Sequence, residues 1–341
     1  MTEPAAGPTG PEARSLEDGA VLALDLGASR TRAAVVDADG RIVTRTDGRT
    51  PREAGPDGVI AASVGMLRRV RDAAPAAIRE RIVGVGISAP GPLDRSTGTL
   101  IEPPNLGPTF HDVRLAEPIG RALALPAVLE RDTNVAALAE WRFGVARGAG
   151  DFLYLTVSTG IGGGIVAGGR LLTGADGVAG ELGHLLVELD GPPCGCGGRG
   201  HLEAIASGTG IARAAAAAIA GGSAPGLAAL ARELGRGLDA RDVALAEEEG
   251  DATAAAILDR ARVAFAEACV ALVDVFNPEL IVVGGSIARN QGDRWLGPAR
   301  ERVARTSFRI PRERVAIVPA ALGDDVGLVG AVAIVGVSSV A

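Results

Sequence analysis

The sequence predicts an α/β protein built as two lobes with a cleft between them. Three observations carry that expectation. At 341 residues, with 47% hydrophobic and 22% charged side chains, the chain is globular in composition and long enough for two domains. Two segments, 20–46 and 151–167, each open with a short apolar run, meet a turn rich in Gly, Ser and Thr, and continue into a second apolar run. Each is followed further on by a helix and then a strand that stops at glycine or proline: 59–80 then 81–88, and 251–276 then 279–285. The halves repeat an architecture rather than residues. Ligands in open α/β sheets sit beyond the carboxyl ends of strands, where these turns fall.

In chain order, residues 1–19 are rich in Pro, Gly and Glu and lack an apolar signal core, so they read as a disordered tail. Residues 20–27 form a buried strand that closes on Asp25 and Gly27. The turn Gly27–Thr31 leads to a return strand, 32–37, and the turn 38–40 to a third, 41–46. A helix is expected over 59–80, and the strand 81–88 halts at Ala89-Pro-Gly-Pro92. The apolar stretch 125–129 precedes Asp132 and a helix over 135–143. The second half runs from strand 151–158 through the glycine-rich turn 159–164 to a short strand, 165–167. Residues 214–218 and 228–234 favour helix, with a loop at 221–226 between them. The long amphipathic helix 251–276 is stopped by Asn277-Pro278 and followed by strand 279–285.

Charge and composition exclude several classes. The formal charge is −7, from 34 basic and 41 acidic side chains, which argues against a nucleic-acid partner. All 34 basic residues are arginine. Without lysine there is no Walker A lysine, no Schiff-base lysine and no protein-kinase strand lysine. Three cysteines make no disulfide framework, and no apolar run is long enough to span a membrane. A cytoplasmic protein is expected.

Two of the three histidines and two of the three cysteines fall together: His184, Cys194, Cys196 and His201. Four such donors match the closed tetrahedral shell of a structural Zn²⁺, and the glycines and prolines among them can wrap an ion. A glycine-rich loop with incidental Cys and His is the alternative. Cys269 reads as a small core residue and His111 as a surface histidine. The turns at Gly27, Ser29 and Thr31 and at Thr159, Gly160, Gly162 and Gly163 can aim backbone N–H groups at phosphates, and Asp25 could hold Mg²⁺. Tight hairpins produce such glycine runs too. Asp132 fits a helix cap or a general base facing the cleft, and spacing alone favours the cap. Glu181 and Glu203 adjoin the proposed metal donors. They are acceptors for a polyhydroxylated ligand, or surface charges.

Taken together, these segments resemble the ROK (repressor, ORF, kinase) family, over nearly the whole chain from Val21 to Ala333. The resemblance lies in Asp25-Leu-Gly-Ala-Ser-Arg-Thr31, Gly86-Ile-Ser-Ala-Pro-Gly-Pro92, Pro104-Asn-Leu106, Glu130-Arg-Asp-Thr-Asn134 and Ser158-Thr-Gly-Ile-Gly-Gly-Gly164. It continues in Glu181-Leu-Gly-His184 with Cys194-Gly-Cys196 through Glu203, in Val283-Gly-Gly285, and in Gly327-Leu-Val-Gly-Ala331. It implies the two-lobed actin-like ATPase (ribonuclease H-like) fold, with a small lobe over 20–132 joined by a C-terminal helix over about 325–341. The large lobe would span 133–324 and carry the zinc loop 184–201. The resemblance also implies ATP-dependent phosphorylation of a hexose, glucose first, with Mg²⁺ and a structural Zn²⁺, by a homodimer. Asp132 would be the base; Asn105, Arg131, Glu181, His184 and Glu203 would meet the sugar. Asp25, Gly27, Ser29, Arg30, Thr31, Thr159, Gly160, Gly162, Gly163, Gly284 and Gly285 would meet the nucleotide.

Three positions depart from the family pattern: Arg131 for Asn, His201 for a third zinc cysteine, and Phe110 where Trp is usual, with a residue inserted nearby. The rival readings are a sugar sensor without catalysis, a kinase of N-acetylmannosamine, N-acetylglucosamine or fructose, and a nucleotide-dependent oxidoreductase. The family's regulators carry a DNA-binding domain ahead of the first strand, where this sequence has only residues up to Gly19, so an enzyme is expected. The oxidoreductase lacks the strand–GxGxxG–helix order.

Overall fold

The computed structural model of the protein describes residues 19–103 and 105–338. The expected N-terminal tail lies outside these, except for Gly19. The chain divides into two compact units: residues up to Val135 together with those from Gly327 on, and Ala136–Val326.

The first unit is built on a five-stranded sheet of β1 (Ala20–Leu26), β2 (Arg30–Asp37), β3 (Ile42–Arg49), β4 (Ile82–Ala89) and β5 (Ala127–Arg131). The strand order is β3-β2-β1-β4-β5, with β1 to β3 antiparallel and β4 and β5 parallel to β1. The unbroken run Ala20–Leu24 is buried on both faces, as a central strand requires, whereas β3 alternates between half-buried and exposed along its second half. Helices α1 (Gly55–Ala73) and α2 (Ala116–Leu123) cover it, their Leu67 and Ile119 packed with Leu22, Leu24 and Ile87. α1 stops well short of the expected residue 80, because the residue before Pro75 is driven to extended backbone; a short helix, Ala76–Arg79, follows. α3 (Asp132–Phe143) follows β5 without a loop, three residues earlier than the pattern suggested.

The second unit repeats the plan. Its sheet contains β6 (Phe152–Val157), β7 (Ile161–Ala167), β8 (Arg170–Leu171), β9 (Leu280–Gly284) and β10 (Ala316–Pro319), in the order β8-β7-β6-β9-β10. Again the first three are antiparallel and the last two parallel to the first. One expectation is corrected here. Gly162, Gly163 and Gly164 are strand residues of β7, opposite Thr156, Leu155 and Tyr154, so the turn is only Ser158–Gly160. At Gly163 the strand is so closely covered that a Cβ would stand 2.5 Å from Leu182.

The unit also holds helices α4 (Gly208–Ala220), α5 (Ala240–Glu248), α6 (Ala252–Phe276) and α7 (Asp293–Thr306), with a further helix, Pro225–Leu234, between α4 and α5 where helix was expected at 228–234. α6 starts where Asp251 accepts the Ala254 N–H at 2.8 Å and ends at Asn277 in left-handed backbone, as its sequence signals predict. The core beneath it holds Leu258, Phe265 and Trp295. α8 (Val326–Ser338) closes the described chain. No single helix among the described residues is long and apolar enough to cross a membrane.

Candidate active site

The β1–β2 turn is closed at Gly27, whose N–H donates to the Arg30 carbonyl at 3.0 Å; a Cβ there would stand 2.8 Å from that oxygen. Ser29 is exposed at the tip. Arg30 reaches across to Asp47 at 2.6 Å. Thr31 corrects an expectation. The pleat turns it inward, where its hydroxyl is hydrogen-bonded to Thr50 at 2.8 Å, and Thr50 in turn donates to the Gly27 carbonyl at 2.7 Å. Thr31 thus braces the turn from behind and offers no hydroxyl outward. Asp25 accepts from Arg32 Nε through Oδ2 at 2.9 Å, and an acid so neutralised is a poorer magnesium ligand than its sequence position implied.

At the β5–α3 junction, every residue from Leu129 to Glu140 is buried except Asp132. Glu130 makes this step rigid. It is 2% exposed; its Oε1 accepts the Arg131 N–H and the Asn134 side-chain N–H, each at 2.9 Å, and Arg95 stands 3.2 Å from Oε2. Asp132 therefore projects from a clamped backbone, its Oδ1 accepting the Thr133 N–H at 2.8 Å. Arg131, expected at the sugar, is buried, and a Cβ at Gly91 would stand 3.0 Å from its Cδ. Asn105 is exposed, its carbonyl held by Arg52 at 2.9 Å, next to buried Leu106. His111 is a surface histidine 3.3 Å from Glu102.

In the second unit the turn Ser158–Gly160 is closed by the Ser158 N–H donating to the Gly160 carbonyl at 2.9 Å. The Ser158 hydroxyl meets that of Ser286 at 3.0 Å. Gly284 and Gly285 lie against the end of β6: a Cβ on either would stand 2.4 Å from the Tyr154 hydroxyl or 2.3 Å from the Val157 carbonyl. Beside the turn lies a cavity of about 460 Å³, within the range of small-molecule sites, lined by Thr159, Thr209, Asp239, Arg241, Ser286 and Gln291 among others. Of these the sequence pointed only to Thr159; Thr209, Asp239, Arg241, Ser286 and Gln291 were missed. They come from separate segments with no shared motif.

The donor atoms of His184, Cys194, Cys196 and His201 lie within 4.8 Å of one another. Cys194 Sγ is 3.7 Å from His184 Nδ1, and Cys196 Sγ is 3.3 Å from His201 Nδ1. Sulfur and nitrogen ligands of one tetrahedral Zn²⁺ stand roughly 3.6 Å apart, so the four donors fit such an ion. The loop folds this way because glycines are placed where nothing else fits. A Cβ at Gly198 would stand 2.4 Å from the His201 ring, and one at Gly200 would stand 1.8 Å from the Glu188 carbonyl. Burial pushes the Cys194 thiol above its ordinary value, so an ion there must displace a tightly held proton. Glu181 Oε2 is 3.8 Å from His184 Nε2. Glu203, expected to accept from sugar hydroxyls, already takes the Ile161 N–H on Oε2 at 2.9 Å.

A paired α/β architecture, each sheet bearing a glycine turn after its first strand, defines the two-lobed actin-like ATPase fold. The chain belongs to the ROK family, whose profile matches residues 21–337. It is 35% identical over 318 residues to a glucokinase of Thermotoga maritima, covering 92% of this chain and 96% of that one. It is also similar to the crystal structure of a ROK hexokinase from Thermus thermophilus, at 34% identity and a TM-score of 0.78, covering 94% of this chain and 100% of the other. A ROK family glucokinase from Streptomyces griseus, solved with glucose and AMPPNP, is 31% identical with a TM-score of 0.75, over 92% of this chain and 98% of that one.

Proposed function

We propose that this chain is an ATP-dependent hexose kinase that converts glucose to glucose 6-phosphate. The observation that carries the reading is Asp132, the one exposed residue in a buried run, presented by a junction that Glu130 holds rigid. In the proposed reaction the Asp132 carboxylate accepts the proton of the sugar's primary hydroxyl. That oxygen forms a bond to the γ-phosphorus of ATP as the bond from the γ-phosphorus to the β–γ bridging oxygen breaks and ADP leaves. Such a transfer needs positioning and charge neutralisation more than covalent help, so a chain without lysine can perform it. The second unit supplies the cavity beside Ser158–Gly160 for the nucleoside, and Glu181, His184 and Glu203 for sugar hydroxyls.

Mg²⁺ would arrive with ATP and neutralise its phosphates. Zn²⁺ would be held by His184, Cys194, Cys196 and His201 in a closed shell, and would brace the loop rather than take part in the transfer. The reading also carries the cytoplasmic homodimer that the family resemblance implies.

The test is ADP release with Mg-ATP and a panel of glucose, N-acetylmannosamine, N-acetylglucosamine and fructose. Turnover should be sugar-dependent and highest with glucose, and Asp132→Asn should lower kcat by at least about 100-fold while glucose still binds. Binding of glucose without turnover by the unaltered chain would make it a sensor, with Asp132 a helix cap.

A further inference from the structure

The turn Ser158–Ile161 is held from both sides by the two segments that carry the histidine donors. On one side, the stretch that starts at His201 makes hydrogen bonds to three of its residues. Glu203 Oε2 accepts the Ile161 N–H at 2.9 Å, the Gly208 N–H donates to the Ser158 carbonyl at 2.8 Å, and Thr209 donates to the Thr159 carbonyl through its N–H at 3.1 Å and its hydroxyl at 2.9 Å. The fit is close enough that a Cβ at Gly160 would stand 2.7 Å from Glu203 Oε2. On the other side, Gly183, next to His184, lies so near Ile161 that a Cβ would stand 2.0 Å from its carbonyl oxygen.

We propose that the metal loop sets the nucleotide affinity of this chain, with Glu203 as the positioning residue that couples the loop to the Ser158–Ile161 turn. The inference rests on the kinase reading. An ion on His184 and His201 fixes the relative placement of the two segments that grip the turn, so the turn is ordered before the nucleotide arrives, and less ordering is left to oppose binding. Glu203 carries the coupling because it stands two residues beyond His201 and its side chain bonds Ile161 directly.

The experiment is calorimetric binding of Mg-AMPPNP, without sugar, to the full chain before and after removal of zinc by a chelator, for the wild type, Glu203→Gln and Glu203→Met. Glutamine keeps an oxygen that can accept the Ile161 N–H; methionine does not. With zinc bound, Glu203→Gln should stay within about twofold of the wild type and Glu203→Met should bind about tenfold more weakly. Zinc removal should weaken the wild type about tenfold and Glu203→Met by less than about twofold, because the link it acts through is already cut. Circular dichroism follows the fold of each form. If the stripped chain unfolds, the zinc-loaded Gln and Met variants decide the question. Equal loss on zinc removal in wild type and Glu203→Met, no loss in either, or loaded Gln and Met variants that bind alike would overturn the coupling while leaving the kinase reading intact. Failure of every form to bind AMPPNP would overturn the ATP-dependent reading itself.

Discussion

Glu140 is fully buried, yet its carboxylate is satisfied. Oε1 accepts the N–H groups of Ala321 and Leu322, each at 2.9 Å, and Oε2 accepts that of Val145 at 3.0 Å. Three backbone donors around one carboxylate make the charge tolerable in a dry site and pin two loops to α3. Glu140→Gln keeps the shape but turns an N–H₂ group on backbone N–H donors, so unfolding free energy should fall by about 2–4 kcal/mol in urea titration. An unchanged midpoint would mean that the three bonds contribute nothing net. Neither Glu140 nor Glu130 is legible as a buried acid in the sequence, where both look like surface charge on a strand end or helix. The partners of Glu140 include backbone groups as far as 182 residues away, and Glu130, besides Arg131 and Asn134 close by, faces a guanidinium 35 positions back. Asp132 stood in the sequence between a helix cap and a base, and only the family resemblance raised the base; the structure adds that it is the exposed residue of a buried run. Thr31 was misread, because its direction depends on a pleat register that spacing alone does not settle.

The elements that periodicity revealed are those whose pattern is local: β1 to β3, β6, β9 and the capped α6. The ones it missed are too short or too irregular for a period to show. Leu93–Asp94, Thr99–Leu100 and Val113–Arg114 are two-residue strands that pair with one another into a small sheet of their own. α7 contains Pro298 in its first half, a residue that normally marks a helix end. The metal loop stands between these cases: its donors were legible from their density, while the glycines that fold it show their purpose only where a Cβ would collide. Its prediction concerns thiols. Cys196 is exposed and Cys194 buried in the cluster, whereas burial pushes the Cys269 thiol up to about 12 and keeps it protonated and unreactive. A disulfide reagent should find no fast thiol in the zinc-loaded chain, two after chelation, and all three cysteines only in denaturant. Rapid labelling of Cys196 in the loaded chain would show that it is not a zinc ligand.

At the scale of the whole molecule, the same five-strand order appears twice, and the chemistry is unequally shared. The first unit carries the projecting acid; the second carries the cavity beside Ser158–Gly160 and the cluster of two histidines and two cysteines. That division separates a kinase from a sensor by a thermal measurement without catalysis. A ligand that binds only the folded chain stabilises it by about 2.7 kcal/mol at one hundred times its Kd. For 341 residues that corresponds to a rise in Tm of about 4 °C. Glucose alone and Mg-AMPPNP alone should each produce such a rise in differential scanning calorimetry. A sensor would respond to the sugar but not to the nucleotide, because nothing in sensing requires the second unit's cavity to be filled. A chain that uses polyphosphate instead of ATP would also ignore AMPPNP, yet would still release glucose 6-phosphate when polyphosphate and glucose are supplied together. The two ligands and the two donors therefore assign the cavity beside Ser158–Gly160 to a nucleoside, to a longer phosphate chain, or to neither.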